Sequence, residues 1–294
     1  MMPPMKGPTA TSPDGPRDST QISALVTLLG DEDPKVGETI AGHLREIGAA
    51  ALPALEEALD GPDPVAGERA RTLVRDLKQD GVLEAIRAYR RREGWGLEEG
   101  LVLISRLHDP DLDEAACSAP LNRMAEDLML RLDPGDGVEP LISGMARYLH
   151  QEQRFTGNTD DYYDEGNSYL HTLLAHRKGI PISLSCLYLL LAQRLGLPFV
   201  GVAMPGHFLV RYDDGHEVRI VDPFNRGRIL DRDGCTALLR GLGLAYDERY
   251  LESTDHRHIL ERTLKNLIAI YANREQTGPL TLHQRALDAL RGGA

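Results

Sequence analysis

From Ile22 onward the apolar positions fall at helical spacing. Ile22, Leu25, Val26 and Leu29 form one stripe, and Ile40, Leu44 and Ile47 form the next. Asp33-Pro34 separates them. Asp33 is an N-cap candidate and Pro34 takes the first helical position, where a missing N–H costs no helix bond. The pattern returns thirty residues later: Leu59, Asp63-Pro64, Gly67-Glu68 and Val74 repeat Leu29, Asp33-Pro34, Gly37-Glu38 and Leu44. This predicts two helix pairs, the second helices running to about Gly48 and Lys78. Three more helices follow. Leu97, Leu101, Ile104 and Leu107 mark one, broken at His108–Asp111. Leu121, Met124, Leu128 and Leu132 mark another, ended by Asp133–Gly137. Leu141, Met145 and Leu149 mark a third over 138–152.

The period changes in the second half. Asn167-Ser168 reads as the cap of a short helix through Ala175, closed by Arg177-Lys178-Gly179. Pro181 opens a longer helix with Leu184, Leu187, Tyr188, Leu191 and Leu195 on its buried face, ended by Gly196. Beyond Pro198 the alternation is two-residue: strands at Phe199–Val202, His207–Tyr212 and Glu217–Val221, with turns at Pro205-Gly206 and Asp213–Gly215. The last two strands form a hairpin that brings His207 and Asp222 to one open end, where a carboxylate can fix an imidazole tautomer. An amphipathic helix over 255–275, with Ile259, Thr263, Leu267, Ile270 and Tyr271 on one side, and a shorter one over Leu280–Leu290 complete the chain.

The charge narrows the functions. At −12, with a pI near 5.3, the chain has no concentrated basic face. Phosphate neutralisation dominates nucleic-acid affinity, so no nucleic-acid partner is expected. The densest basic run, Arg87–Arg92, reads as a solvated helix end. The longest apolar run, Leu187–Ala192, falls far short of the ~18 residues of a membrane helix, so no membrane partner is expected. Residues 1–21 are rich in Pro, Gly, Ser and Thr, with no apolar secretory core, and read as a disordered tail. Three scattered cysteines without a CxxC pair suit a reducing, cytoplasmic setting. Asp109, Asp111 and Asp113 lack the Gly and Glu of a calcium loop, and His171/His176 and His256/His258 lack ligand spacing. Neither metal nor cofactor is expected.

Two resemblances follow. Residues 22–80 resemble HEAT-type helical repeats, which stack pairs into a solenoid. From about Leu97 onward the phrases GNTDDYYDEGNSYL, RKGIPISLS, RLGLP, PGHFLVR and VDPFNRG resemble the transglutaminase-like superfamily, in particular its bacterial SirB-type branch. The resemblance implies an α+β fold: a papain/transglutaminase-like core, with a helix packed on a small antiparallel sheet, between helical flanks. The implied SirB-type domain is 81–294, with a helical lead-in over 81–155, a core over 156–250 and a helical tail over 251–294. It also implies a triad in which His207 is the general base and Asp222 its orienter.

The cysteine of that triad is missing. In active relatives it lies in a Gly-x-Cys step, fifteen residues before the Gly that corresponds to Gly196. That position is Pro181, which has no nucleophilic atom. Ser183 and Cys186, further along the same helix, are the substitutes, each with a plain structural alternative. Asn158, Tyr162, Tyr163 and Asn167 precede the helix and either line a cleft over His207 or fix the loop with local hydrogen bonds. Two functions compete. One is a non-catalytic scaffold that binds a protein partner. The other is a hydrolase or acyltransferase using His207 and Asp222 with Ser183 or Cys186. Nothing in the pattern fixes the oligomeric state.

Overall fold

The computed structural model describes residues 19–292. They divide into two compact units, one ending at Gly81 and the other beginning at Val82. The first unit holds two helix pairs: α1 (Ser19–Leu28) with α2 (Pro34–Ile47), and α3 (Leu52–Leu59) with the part of α4 (Pro64–Arg90) up to Gly81. Its core is the predicted stripe, with Ile22, Val26, Leu29, Ile40 and Leu44 meeting Leu55, Ala70, Leu73 and Leu77. Asp33 caps α2 as expected, accepting from the Lys35 N–H, and Asp63 accepts from the N–H groups of Val65 and Ala66. Two boundaries differ from expectation. Ser19–Gln21, assigned to the disordered tail, are helical, while the rest of that tail lies outside the described residues. The second repeat helix runs past Lys78 to Arg90, because Leu77, Leu83, Ile86 and Tyr89 continue its buried stripe. That stripe outweighs the ~1 kcal/mol cost of Gly81 in a helix interior.

The second unit takes the rest of α4 and then α5 (Leu97–His108), α6 (Ala115–Met129) and α7 (Val138–Arg147), the last extended by a wide π turn over Tyr148–Glu152. Helix α6 starts six residues before Leu121 and carries Pro120 inside it. A two-residue parallel pair, β1 (Thr156–Gly157) with β2 (Lys178–Gly179), brackets α8 (Leu170–His176). Then come α9 (Pro181–Leu195), β3 (Phe199–Val202), β4 (Leu209–Asp213), β5 (Val218–Asp222), β6 (Arg228–Leu230), α10 (Arg232–Arg240), β7 (Ser253–Thr254), α11 (His256–Asn273) and α12 (Thr277–Arg291).

The sheet is antiparallel throughout, in the order β6-β5-β4-β3-β7, so the chain is an α+β protein, rich in helix, with one small antiparallel sheet. Strand alternation sorts its faces. Val210, Tyr212 and Val221 face the large core that includes α9, and Val202, Leu209, Ile220 and Leu230 face Cys235 and Leu239 of α10. The predicted tail beginning at 251 contributes a strand, β7, that pairs with β3 before the helices start. Helices α11 and α12 pack on each other and on α5. A buried polar chain joins them to the core: the Tyr169 hydroxyl lies 2.8 Å from both the Tyr271 hydroxyl and His283 Nε2.

Candidate functional site

The site forms where the start of α9 meets the open end of the β4–β5 hairpin. Strand β4 begins at Leu209, two residues later than expected, because His207 belongs to the preceding turn. Gly206 takes a left-handed conformation (φ 66°) and the His207 N–H closes onto the Met204 carbonyl at 3.2 Å. Asp222 is the last residue of β5 and is 1% exposed. The hairpin register, Val210 opposite Val221, brings the two side chains together: His207 Nε2 lies 2.9 Å from Asp222 Oδ1. An ionised carboxylate only accepts, so Nε2 carries the proton, and Nδ1 has no hydrogen-bond partner among the described residues.

Asp222 is held from a second direction. Asn225 donates its backbone N–H to Oδ1 (3.2 Å) and its side-chain amide to Oδ2 (2.7 Å), and Gly227 N–H returns to the Asp222 carbonyl (2.8 Å). Burial pushes this carboxyl up, but hydrogen bonding and charge from His207, with the two Asn225 bonds, outweigh it and hold the group below the ordinary carboxylate range. Behind the turn, His150 in the π segment donates from Nδ1 to the Phe155 carbonyl (2.8 Å) and accepts the Tyr188 hydroxyl at Nε2 (2.9 Å).

At the start of α9 the expected nucleophile position is Pro181, the first helical residue. Ser183 is engaged locally: its Oγ accepts the Ile180 N–H at 3.0 Å and donates to the Ile180 carbonyl at 3.1 Å. Cys186 is 1% exposed, and burial pushes its thiol up to about 12. Ser185, not singled out in the sequence, donates to the Phe208 carbonyl (3.2 Å) and ties α9 to the segment behind His207.

The loop before α8 divides its candidates. Asn158 and Asn167 hydrogen-bond each other at 2.9 Å. Asn158 Oδ1 accepts the Asp161 N–H, and Asn167 donates to the carbonyls of Asp161 and Tyr162. Both also line an open cleft of about 610 Å³ with Asp160, Asp161, Asp164 and Lys178, which His207 does not line. Asn167 and Ser168 do not cap α8. They form a 3₁₀ turn, Tyr169 occupies the cap position, and the Leu170 N–H is taken by Ser105 Oγ. Likewise Arg177, at φ 61°, closes α8, leaving Gly179 free to pair with Gly157. Tyr162 and Tyr163 are 37% and 65% exposed, their rings in edge contact at 5.4 Å.

Sequence reasoning passed over Phe224 and Arg262. Phe224 stands edge-on to both His207 (6.0 Å) and Tyr162 (6.1 Å). It requires Gly157, because a Cβ there would lie 2.6 Å from the ring. Arg262, on α11, donates to the Met204 and His207 carbonyls. Phe224 was visible in the Asp-Pro-Phe phrase. Arg262 gave no signal, since it lies 55 positions from His207 on the polar side of an ordinary amphipathic helix.

The start of a helix, a His in the turn before one strand and an Asp at the end of the next thus meet at one end of an antiparallel sheet. A model of the transglutaminase-like superfamily matches residues 115–265, just over half of the chain, and the chain belongs to that superfamily. A UPF0162 protein of Xylella fastidiosa (strain Temecula1) is 39% identical over 183 residues, 60% of this chain and 64% of the relative. One from Vibrio cholerae is 28% identical over 172 residues, 57% and 63% of the two chains. Human F-box only protein 21 is 33% identical over 138 residues, 44% of this chain and 22% of that protein. The chain thus spans less than two thirds of the length of each of these relatives. No solved structure matches. Among the described residues no helix is long and apolar enough to cross a membrane.

Proposed function

We propose that this is a binding protein of the SirB type, in which the surface beside His207 and Asp222 holds a protein partner instead of cutting or cross-linking it. The observation that carries the reading is the state of the α9 start. Pro181 stands where the thiol belongs, Ser183 is committed to Ile180, and Cys186 is sealed in the core. A nucleophile needs a base within hydrogen-bond reach and a path for substrate, and among the described residues neither substitute hydrogen-bonds His207, whose ring bonds Asp222. The His207–Asp222 bond has a use without catalysis, because it closes the open end of the hairpin. Residues 22–80, as HEAT-like repeats, add a second docking surface, in a cytoplasmic protein that binds no nucleic acid. The similarity to a short part of a much longer human protein suits a portable module.

The second reading, a hydrolase or acyltransferase using Ser183 or Cys186, is favoured by the intact His207–Asp222 geometry. Probe labelling separates the two. Fluorophosphonate and iodoacetamide probes are expected to leave Ser183 and Cys186 unlabelled in the folded protein. Labelling of either that disappears in His207→Ala establishes the enzyme and removes the scaffold reading.

A further inference from the structure

Arg262 does more than its hydrogen bonds require. Its Nη2 donates to the carbonyls of Met204 (3.0 Å) and His207 (2.7 Å), and the guanidinium lies 5.4 Å from the Phe208 ring centroid. Both bonds use one nitrogen. Among the described residues, Nε and Nη1 have no acceptor and no carboxylate pairs with the side chain. Nearby arginines differ: Arg257 and Arg291 end on Glu261, Arg211 on Asp213 and Arg249 on Asp247. Arg262 is half-buried, and burial lowers its hold on its proton. A cation drawn out of water without a counter-ion is costly unless an anion is supplied.

The surroundings indicate which anion. Tyr162, whose hydroxyl has no partner among the described residues, is joined to His207 through the edge contacts of Phe224; burial pushes its hydroxyl up, and the Arg262 charge opposes that push. A planar guanidinium with a free Nε–H and Nη1–H matches the two oxygens of a carboxylate. The loop that carries Tyr162 also carries Asp160, Asp161 and Asp164, and these carboxylates repel a free anion at longer range. Apolar contact with the exposed Tyr162 edge must therefore accompany the charge. We propose that Arg262 and Tyr162, beside the His207–Asp222 pair, form a subsite for a carboxylate carried on an aromatic or large apolar group.

This rests on the reading of that surface as a binding site, and one titration tests the two separately. N-acetylphenylalanine and its amide are each titrated into the full chain by NMR, following the His207 ring and Arg262 Nε–H signals. The acid is expected to saturate both shifts and to bind about ten-fold or more tightly than the amide, the worth of a charge-assisted hydrogen bond. In Arg262→Gln the two should bind alike. Equal binding to the wild-type chain overturns the subsite and leaves the binding-surface reading standing. No shift of His207 with either compound sinks both. The wild-type comparison decides even if Arg262→Gln fails to fold.

Discussion

Replacing Asp222 by Asn tests the pair that organises the site. The carboxylate accepts from His207 at 2.9 Å and from Asn225 at 3.2 and 2.7 Å, at a position 1% exposed. The amide keeps one accepting oxygen. Its NH₂ must then face a donor, either the Asn225 amide or the His207 N–H, so at least one charge-assisted bond is lost and the remainder become neutral. Bonds to charged groups contribute about 1.5–3 kcal/mol each. Asn225 is exposed and regains water, so the expected loss is about 2 kcal/mol. Trp95, the single tryptophan, lies in the second unit with its ring against Tyr89, so urea unfolding followed by its fluorescence reports on that unit. The pH dependence gives a second check. The folded carboxyl titrates below its unfolded value of about 3.9, so its contribution is complete above about pH 4 and fades as pH falls through the folded value. The gap between wild type and Asp222→Asn should therefore be widest near neutrality and close in acid. A gap under about 0.5 kcal/mol at pH 7, within the range of an ordinary surface change, refutes the argument.

Three further outcomes follow from other contacts. Ser183→Ala should cost about 1 kcal/mol, the worth of a lost cap, in the same unfolding assay, and should leave binding beside His207 unchanged. Cys117, Cys186 and Cys235 are all buried with thiols pushed up, so mass spectrometry after brief iodoacetamide treatment should find them unmodified until urea unfolds the protein; rapid native labelling of Cys186 would revive the enzyme reading. His283 is buried and its imidazole is lowered to about 4, so the unfolded chain binds the extra proton between there and about 6.5. Stability should fall by about 3 kcal/mol as pH drops across that window, and His283→Gln should flatten the loss.

What the sequence revealed was mostly local. Pro181, Gly196, the Asp213–Gly215 turn and the short strand at Phe199–Val202 each act within a few residues, and each lies where the sequence placed it. The nearness of Asp222 to His207 followed from reading one hairpin. What escaped depends on partners far along the chain. Strand β7 exists because β3 offers it an edge, and Arg262 matters because of the His207 carbonyl. Asn167 was read as a cap because Asn and Ser commonly begin helices, but Asn158 captures its side chain first. Position along a helix also misled. Ser183 and Cys186 lie on the right element, yet one turns back to its own first turn and the other points into the core.

The His–Asp pair weighs less toward catalysis than its geometry suggests. A carboxylate that only oriented a catalytic imidazole would need one bond, to the ring. Asp222 also accepts two bonds from Asn225, and its carbonyl takes the Gly227 N–H, so it anchors the turn that positions Phe224. Phe224 in turn fills the space that Gly157 leaves and supports Tyr162. Loss of Asp222 would therefore disturb this surface whether or not any bond is ever cut. On the proposed reading His207 and Asp222 are needed without any turnover, because the same two residues support the surface that carries Tyr162 and Arg262. The separating observation is a double-mutant cycle. Coupling of His207 and Asp222 in unfolding and in N-acetylphenylalanine binding, with no turnover to lose, is what a retained binding surface requires.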